Sequence, residues 1–344
     1  MVSLALLGFF FWNQDMAALW ANMRETQPLW ILPGIMVYFV GIWLRAIRWR
    51  LLMLPFAAVP DARLASVILI GFTVNNVLPL RLGEIVRTFA LRRSHGVPIP
   101  ATLATILIER VLDLVALCAF MTVVFVVERQ RMSGWIEVVS YFCAAVTAGG
   151  AFGLLVLLVM PRRLLDRLLA FGTALATRVH RKLGEVVASC VDGVRALEDT
   201  RLLLGVVSLS VGCWLAELGI YWFMMLCVGF DSGIWSLTAG MVVANLATVL
   251  PSSPGYVGTF DLLLQHLLTD TFEVEMATAG AYTLLTHAVL LVPVVVVGLL
   301  LLSREDLSWK GLARGRVEGR AATGSAAKTA ANTELTVPPG TDGR

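Results

Sequence analysis

Charge is what this chain has least of. Asp, Glu, Lys and Arg make up 15% of its 344 residues, against 58% hydrophobic residues and a mean hydropathy of +0.80. The scarcity is concentrated: residues 276–303 carry no Asp, Glu, Lys or Arg, and residues 202–230 carry a single one, Glu217. One soluble core cannot hide that much apolar side chain, whereas about 20 apolar residues cross the hydrocarbon of a bilayer. A soluble single-core domain is therefore excluded, and no feature calls for nucleic acid. Metal and disulfide patterns are missing too. The four histidines (His95, His180, His266, His287) are scattered. Of five cysteines, Cys118, Cys143, Cys213 and Cys227 sit in apolar segments and Cys190 in a basic stretch, with no spacing for zinc or a disulfide frame. They read as small hydrophobes, and neither a cofactor nor a metal is expected. Residues 1–12 do not read as a signal peptide, since they lack a basic start and a small-residue cleavage site. At ~1.5 Å per residue that run reaches about 18 Å, too short to span, so a partial first helix is expected, with the true start upstream.

What is present is a series of apolar segments: 29–44, 64–80, 101–127, 138–160, 202–230, 234–250, 256–268 and 276–302. Stretches 45–63, 81–95, 161–201 and 303–320 hold 21 of the 27 Lys and Arg residues. Positive residues collect on the cytoplasmic side, which places these four stretches inside, with a cytoplasmic C-terminus in the inner (plasma) membrane. Segment 64–80 then begins and ends inside. A re-entrant hairpin is expected there, turning near Asn75-Asn76 and returning through Pro79. A second hairpin, 234–268, is expected to enter from outside. Backbone broken at that depth is tolerated where it lines protein or a wet cavity.

The two hairpins carry related sequences. Val77-Leu78-Pro79-Leu80-Arg81-Leu82-Gly83 returns 172 residues later as Val249-Leu250-Pro251-Ser252-Ser253-Pro254-Gly255. Crossing, hairpin, crossing repeats over 28–127 and 202–302, and the additional crossing 138–160 inverts the second copy. The expected fold is an all-α polytopic membrane protein with an inverted repeat, about six full spans and two re-entrant hairpins. Inverted repeats with broken segments place their site near the midplane, between the halves. The expected organisation is 1–27, partial first helix and outer loop; 28–127, repeat 1; 128–201, connecting span and cytoplasmic amphipathic helices; 202–302, repeat 2; 303–344, disordered cytoplasmic tail. In 161–201, Leu164, Leu168, Leu175, Val179, Leu183 and Val186 recur near helical spacing among Arg167, Arg178, Arg181 and Lys182, the pattern of helices lying on a leaflet.

Four motifs bear a family likeness: Arg45-Ala-Ile-Arg48-Trp49-Arg50, Asn75-Asn76-Val-Leu-Pro79-Leu-Arg81-Leu-Gly83-Glu84-Ile-Val-Arg87, Ile108-Glu109-Arg110-Val-Leu-Asp113, and Pro251-Ser-Ser-Pro254-Gly255-Tyr-Val-Gly258. Over about residues 29–302 the chain resembles the lysylphosphatidylglycerol synthase transmembrane region, also called the flippase-like family. The resemblance implies a flippase module moving modified phospholipids or lipid-linked sugars between leaflets, with membrane lipids as partners and a separate lipid-modifying enzyme as a further one. Some forty residues follow Leu302, so no aminoacyl-transferase domain is expected on this chain. It also departs from the family at Tyr282-Thr283-Leu284, where an arginine usually follows the tyrosine; the second half's counterpart of Arg110 is missing. The sequence sets no oligomeric state.

Arg81, Glu84 and Arg87 share a helical face. They read either as a phosphate site, since guanidinium grips phosphate bidentately, or as inside anchors bridged by Glu84. Glu109, Arg110 and Asp113 read either as headgroup binding by Arg110 with Glu109 or Asp113 gating or taking a proton, or as an internal ion pair locking two helices. Asn75 and Asn76 bind a headgroup or cap freed backbone groups. Pro251, Ser252, Ser253, Pro254, Gly255, Tyr256 and Asp261 form the outer counterpart. Glu217 is a proton-coupling candidate or a partner of Arg110. Arg45, Arg48 and Arg50 read as topology anchors holding anionic lipid, and His266 and His287 as packed polar residues. The function expected is lipid translocation by alternating access, and not enzymatic. A secondary transporter of a small anion, a membrane glycosyltransferase and a scaffold are the alternatives.

Overall fold

A computed structural model describes residues 15–78, 82–160, 162–248 and 254–304, with Gly8, Phe10 and Trp12. Most of the expected first helix and all of the tail from 305 lie outside the described residues. The chain divides into two units, Met1–Gly298 and Leu299–Arg344, and every contact given below lies within the first.

Among the described residues the regular structure is helical, without strands. Helix α1 (Met16–Arg24) starts where the Asp15 carboxylate accepts the amides of Ala17 and Ala18, satisfying donors that a helix start leaves free. A 3-10 turn, Pro28–Trp30, leads into α2 (Ile31–Met53). There follow α3 (Asp61–Val77), α4 (Gly83–His95), α5 (Ile99–Val127), α6 (Trp135–Val159), α7 (Arg162–Val179), α8 (Arg181–Ala196), α9 (Thr200–Val228) and α10 (Ile234–Ala247). A second 3-10 turn, Pro254–Tyr256, precedes α11 (Thr259–Asp270) and α12 (Met276–Arg304).

Among the described residues, five helices are long and apolar enough to cross a bilayer: Pro28–Met53, Ile99–Val127, Trp135–Val156, Thr200–Val228 and Met276–Arg304. These match five of the six expected spans; the sixth is the partial first helix. The 29 residues of α5, α9 and α12 reach about 44 Å at ~1.5 Å per residue, more than the ~30 Å hydrocarbon thickness. The four helices of the expected hairpins are shorter: 17 residues in α3, 13 in α4, 14 in α10 and 12 in α11.

Two boundaries differ from expectation. Helix α2 does not stop near Leu44 but runs on to Met53, so Arg45, Arg48 and Arg50 are helical, not in a loop. Segment 64–80 does not turn at Asn75-Asn76: both lie inside α3, and α4 is the next helix along the chain. The reason is local. Residues 61–77 hold no Pro to interrupt a helix, so the ladder runs to Val77. The residues between α3 and α4 include Pro79–Arg81, which lie outside the described residues, and so do 249–253. The amphipathic stretch folds as the two helices α7 and α8, joined across packed faces by Arg195 and Asp166 at 2.9 Å.

Two series of four helices start at residues 31, 61, 83 and 99 and at residues 200, 234, 259 and 276, with offsets of 169, 173, 176 and 177 residues. Helices α2, α3, α4 and α5 are followed in the same order by α9, α10, α11 and α12. The most extensive packing joins α2 to α9, first members of the two series. Gly34 of α2 lies against Met224, Gly41 against Ala216, and Leu44 and Leu51 against Gly212 and Gly205. Rising numbers on α2 meet falling numbers on α9, so the pair is antiparallel. Small residues at these crossings let the backbones approach, as membrane helices require when no hydrophobic gain drives their association. Helices α3 and α4 are also antiparallel: Asn75 lies against Gly83, and Gly71 against Arg87.

Candidate functional site

The extension of α2 carries two arginines into the protein. Arg48 is fully buried and Arg45 nearly so. Arg48 Nη1 donates to Asp113 Oδ1 at 2.7 Å and to Ser210 Oγ at 3.1 Å, and its Nη2 lies 3.4 Å from Glu109 Oε1. Arg87 comes from α4 and donates to Glu109 Oε2 at 2.8 Å. Its guanidinium lies 4.0 Å from the centre of the Trp49 ring, a cation–π contact in a desolvated place. Trp49 is fixed in turn by its indole N–H, which donates to Thr105 Oγ1 at 3.0 Å. Glu109 therefore meets arginines from three helices: Arg48 of α2, Arg87 of α4 and Arg110 of its own helix, the last at 3.2 Å.

A second group adjoins the first. Arg45 Nη2 donates to Glu217 Oε2 at 2.5 Å, and Asn245 Nδ2 of α10 donates to Glu217 Oε1 at 2.7 Å. Glu217 thus has Arg45 as its ionic partner, not Arg110, whose Nη2 lies near Glu109 and Asp113. The reading of Arg45 and Arg48 as surface anchors is corrected likewise, because acidic partners from α5 and α9 neutralise them inside the packing. Arg50 alone of the three is substantially exposed, paired with Asp61 at 2.9 Å. Arg45, Arg48, Arg87 and Arg110 face Glu84, Glu109, Asp113 and Glu217, four charges of each sign. Removing ions from water costs several kcal/mol each unless partners and hydrogen bonds compensate; each of these charges has an ionic partner, while Arg48 Nε and Nη2, Arg87 Nε and Arg110 Nε are buried without a hydrogen bond.

The cluster has an open edge. The Arg110 side chain is 39% exposed and that of Glu84 23%, while those of Arg48, Arg87 and Glu109 are at 1% or less. Arg110 lies within a helical stripe of exposed apolar residues, Leu107, Val111 and Leu114. Ile85 and Phe89 are exposed on α4, next to Glu84 in sequence. The charged edge is thus flanked by apolar surface. Asn75 acts as a cap: its Oδ1 accepts the Gly83 amide at 2.7 Å, at the start of α4.

The ends of the two helix pairs come together. The turn Pro254–Tyr256 packs on α3, and a Cβ at Gly255 would lie 3.5 Å from the Asn76 carbonyl oxygen. Gly255 has φ +68, Tyr256 φ +59 and Gly258 φ +91, a left-handed course that costs a side-chain-bearing residue such as Tyr256. Asp261 is buried; its Oδ2 accepts the Gly258 amide at 2.9 Å. Its Oδ1 meets His287 Nδ1 at 2.7 Å, and His287 Nε2 meets the Gly255 carbonyl at 2.8 Å. Arg81, Pro251, Ser252 and Ser253, all candidate site residues, lie outside the described residues. So the sequence candidates fall into two groups: Glu84, Arg87, Glu109, Arg110 and Asp113 with Arg45, Arg48 and Glu217, and Gly255 and Asp261 with His287.

Sequence reasoning missed Arg45, Arg48, Asn245 and His287. One signal was available for the first: Arg45 and Glu217 stand 172 residues apart, the same spacing as the two Val-Leu-Pro motifs.

Fold and site define an all-α membrane protein with a charge-balanced cluster inside its helical packing. Residues 1–298 match the family described as the lysylphosphatidylglycerol synthase TM region, and the chain belongs to that family. It is 25% identical over 295 residues to Glycosyltransferase AglD of Haloferax volcanii, covering 78% of this chain and 47% of that relative, so it spans about half of that protein's length. It is 22% identical over 253 residues to a UPF0104 membrane protein of Methanothermobacter thermautotrophicus, covering 70% of this chain and 75% of the relative. A further UPF0104 membrane protein of that organism is 24% identical over 285 residues, covering 77% and 80%.

Proposed function

We propose that this chain is a lipid translocase of the plasma membrane, moving a phosphate-bearing lipid headgroup between leaflets by alternating access. The observation that carries this reading is the position of Arg110. It is the most exposed arginine of a buried charge cluster, and it lies in a stripe of exposed apolar residues on α5. A lipid needs that combination: a headgroup site open sideways, with the acyl chains left in the bilayer. A carrier of a small soluble anion would instead close its charged site off from the lipid-facing surface. Arg110 would offer phosphate its guanidinium, and Glu84 on the same edge would face a cationic group on the same lipid.

The proposed scaffold is an inverted repeat in which α3–α4 and α10–α11 are re-entrant pairs entering from opposite faces. The antiparallel packing of α2 on α9, at matching places in the two series, supports it, as does the contact between the pair ends at Gly255 and Asn76. Broken helices meeting between two inverted halves are a recurrent transporter arrangement. The exposed apolar residues Leu164, Phe171, Leu175 and Val179 of α7 support its lying on the inner leaflet, with the C-terminus cytoplasmic. A separate lipid-modifying enzyme would supply the cargo. One relative bears the name of a glycosyltransferase, which brings a sugar-bearing lipid phosphate into the same cargo class as a phospholipid.

The test uses the full chain in proteoliposomes containing a fluorescent phosphatidylglycerol, read by quenching of the outer leaflet. The wild-type protein is expected to expose inner-leaflet probe. Arg110→Gln is expected to slow this about tenfold, the worth of one charge-assisted hydrogen bond. Its stability should change by about 1 kcal/mol or less, because the exposed member of such a cluster contributes little and Glu109 keeps Arg87 and Arg48. Equal rates for wild type and Arg110→Gln would remove Arg110 from the site.

A further inference from the structure

The sequence offers Glu109, Asp113 and Glu217 for proton coupling. The structure gives each an arginine partner at 3.2 Å or closer. A proton added to any of them would strand a guanidinium charge inside the protein, which is costly. His287 and Asp261 differ. No arginine or lysine contact accompanies them in the ion pairs of the described residues. The His287 ring has an acceptor at both nitrogens: the Asp261 carboxylate at Nδ1 and the Gly255 carbonyl at Nε2. A neutral imidazole carries one N–H and one lone pair. Beside an ionised carboxylate it can satisfy one of these contacts, and the other then sets a lone pair against an acceptor oxygen. One added proton satisfies both, whether it sits as imidazolium against carboxylate or as neutral imidazole against carboxylic acid.

We propose that His287 and Asp261 form the proton-binding site that couples this protein's conformational cycle to pH, and that the described conformation is the proton-loaded one. The proposal rests on the translocase reading for the cargo it drives, and adds the source of energy. Proton uptake joins one aqueous proton to the pair and takes its net charge from minus one to zero. The surroundings add Phe260, whose ring centre lies 4.6 Å from that of His287; among the described residues, no further ionisable side chain joins the hydrogen bonds and ion pairs of the two. The His287 side chain is 12% exposed, which gives the proton a way in, and that of Asp261 is 2% exposed.

The element that would respond is the turn Pro254–Tyr256. Its backbone is left-handed at Gly255 and Tyr256, and His287 holds it through the Gly255 carbonyl. Loss of the proton turns one of the short contacts repulsive and frees the turn to relax. The turn packs on α3 at Asn76. The neighbouring Asn75 accepts the amide of Gly83 at the start of α4, and α4 carries Arg87 into the charge cluster. A contiguous set of contacts thus joins the proton site to the proposed headgroup site, and the turn is the two-state element that both ends bias.

The direct test is hydrogen–deuterium exchange on the full chain in lipid nanodiscs at about pH 5.5 and about pH 8, either side of the usual imidazole range. The segment read holds Gly258, whose amide donates to Asp261, and rates are corrected for intrinsic exchange. Wild type is expected to lose about tenfold protection at the higher pH. Asp261→Asn should stay protected at both values: its amide oxygen still accepts from Gly258, and its amide N–H donates to a neutral imidazole, mimicking the loaded pair. His287→Gln should show no pH step. Wild-type protection that ignores pH, or Asp261→Asn that follows wild type, overturns the proposal. In proteoliposomes, lipid transfer should quicken with an imposed pH gradient in wild type and not in Asp261→Asn. Transfer indifferent to the gradient would overturn the coupling and leave the translocase standing. A clear exchange step in a protein that moves no lipid would overturn the translocase reading and leave the proton switch standing.

Discussion

Arg87→Ala is expected to destabilise the protein by about 3–5 kcal/mol, the usual consequence of removing one member of a buried ion pair. The Arg87 side chain is 1% exposed and does three jobs at once. It donates to Glu109, lies 3.5 Å from Glu84, and stacks on Trp49. With alanine there, one Glu109 oxygen loses its close donor in a place that water does not reach, and Trp49 loses the flat face that covers it. Arg48 cannot replace it, since its Nη1 is committed to Asp113 and its Nη2 lies on the other Glu109 oxygen. Thermal unfolding in detergent, followed by tryptophan fluorescence, reads the effect. Arg87→Met combined with Glu109→Gln should recover more than half of the loss, because it removes one charge of each sign and leaves Arg48 and Arg110 with Asp113. An Arg87→Ala protein within about 1 kcal/mol of wild type would mean that Glu109 is not held as described. Transport loss in this variant would not by itself mark a binding residue, which is why Arg110 is the better probe of headgroup contact.

How much of this was legible beforehand depends on the range of the interaction concerned. Crossing helices are set by a one-dimensional quantity, apolar length, and Ile99–Val127, Trp135–Val156, Thr200–Val228 and Met276–Arg304 could be read from it closely. The end of α2 could not. In a linear reading, Arg45, Arg48 and Arg50 mark a membrane boundary, because an arginine is assigned to water unless a partner is known. The partners of Arg48 and Arg45 stand 65 and 172 positions away, and the packing of α2 against α5 and α9 brings them in. The positive-inside count drew on these residues as a loop, so it leaned on two arginines that are buried. Asn75 was legible as a cap, the alternative that the short contact to Gly83 selects. His287 was read as a packed polar residue, since nothing near it in sequence marks the two acceptors that Asp261 and Gly255 bring to its ring. Glu109, Arg110 and Asp113 were picked out as a unit, and the structure joins them by ion pairs to Arg48 and Arg87, whose part could not be read from the local spacing. Arg81, Ser252 and Ser253 lie outside the described residues.

Gly83→Ala is expected to separate α3 from α4 and abolish lipid transfer. A Cβ at residue 83 would stand 2.0 Å from the Gly71 carbonyl oxygen and 2.6 Å from Asn75 Oδ1. The first is backbone inside α3 and cannot swing aside. The second is the cap of Gly83 itself, so moving it strands an amide at the start of α4. The helices would have to part by more than about 1 Å for the methyl to reach ordinary contact, and small-to-large changes in packed interiors cost about 1–3 kcal/mol, occasionally more. The shift acts on function because Arg87 lies one turn beyond Gly83 and reaches Glu109 only while α4 stays seated. Gly71→Ala should be milder. Its Cβ meets the Arg87 side chain at 2.8 and 2.9 Å and the Gly83 carbonyl at 3.3 Å, so part of the strain can go into a side chain instead of a backbone. The ordering is the decisive result: thermal midpoint and lipid transfer should both fall further for Gly83→Ala than for Gly71→Ala. Equal tolerance of both substitutions would show that α3 and α4 do not touch at this crossing, and with that contact gone the path from the turn Pro254–Tyr256 to the charge cluster would be cut.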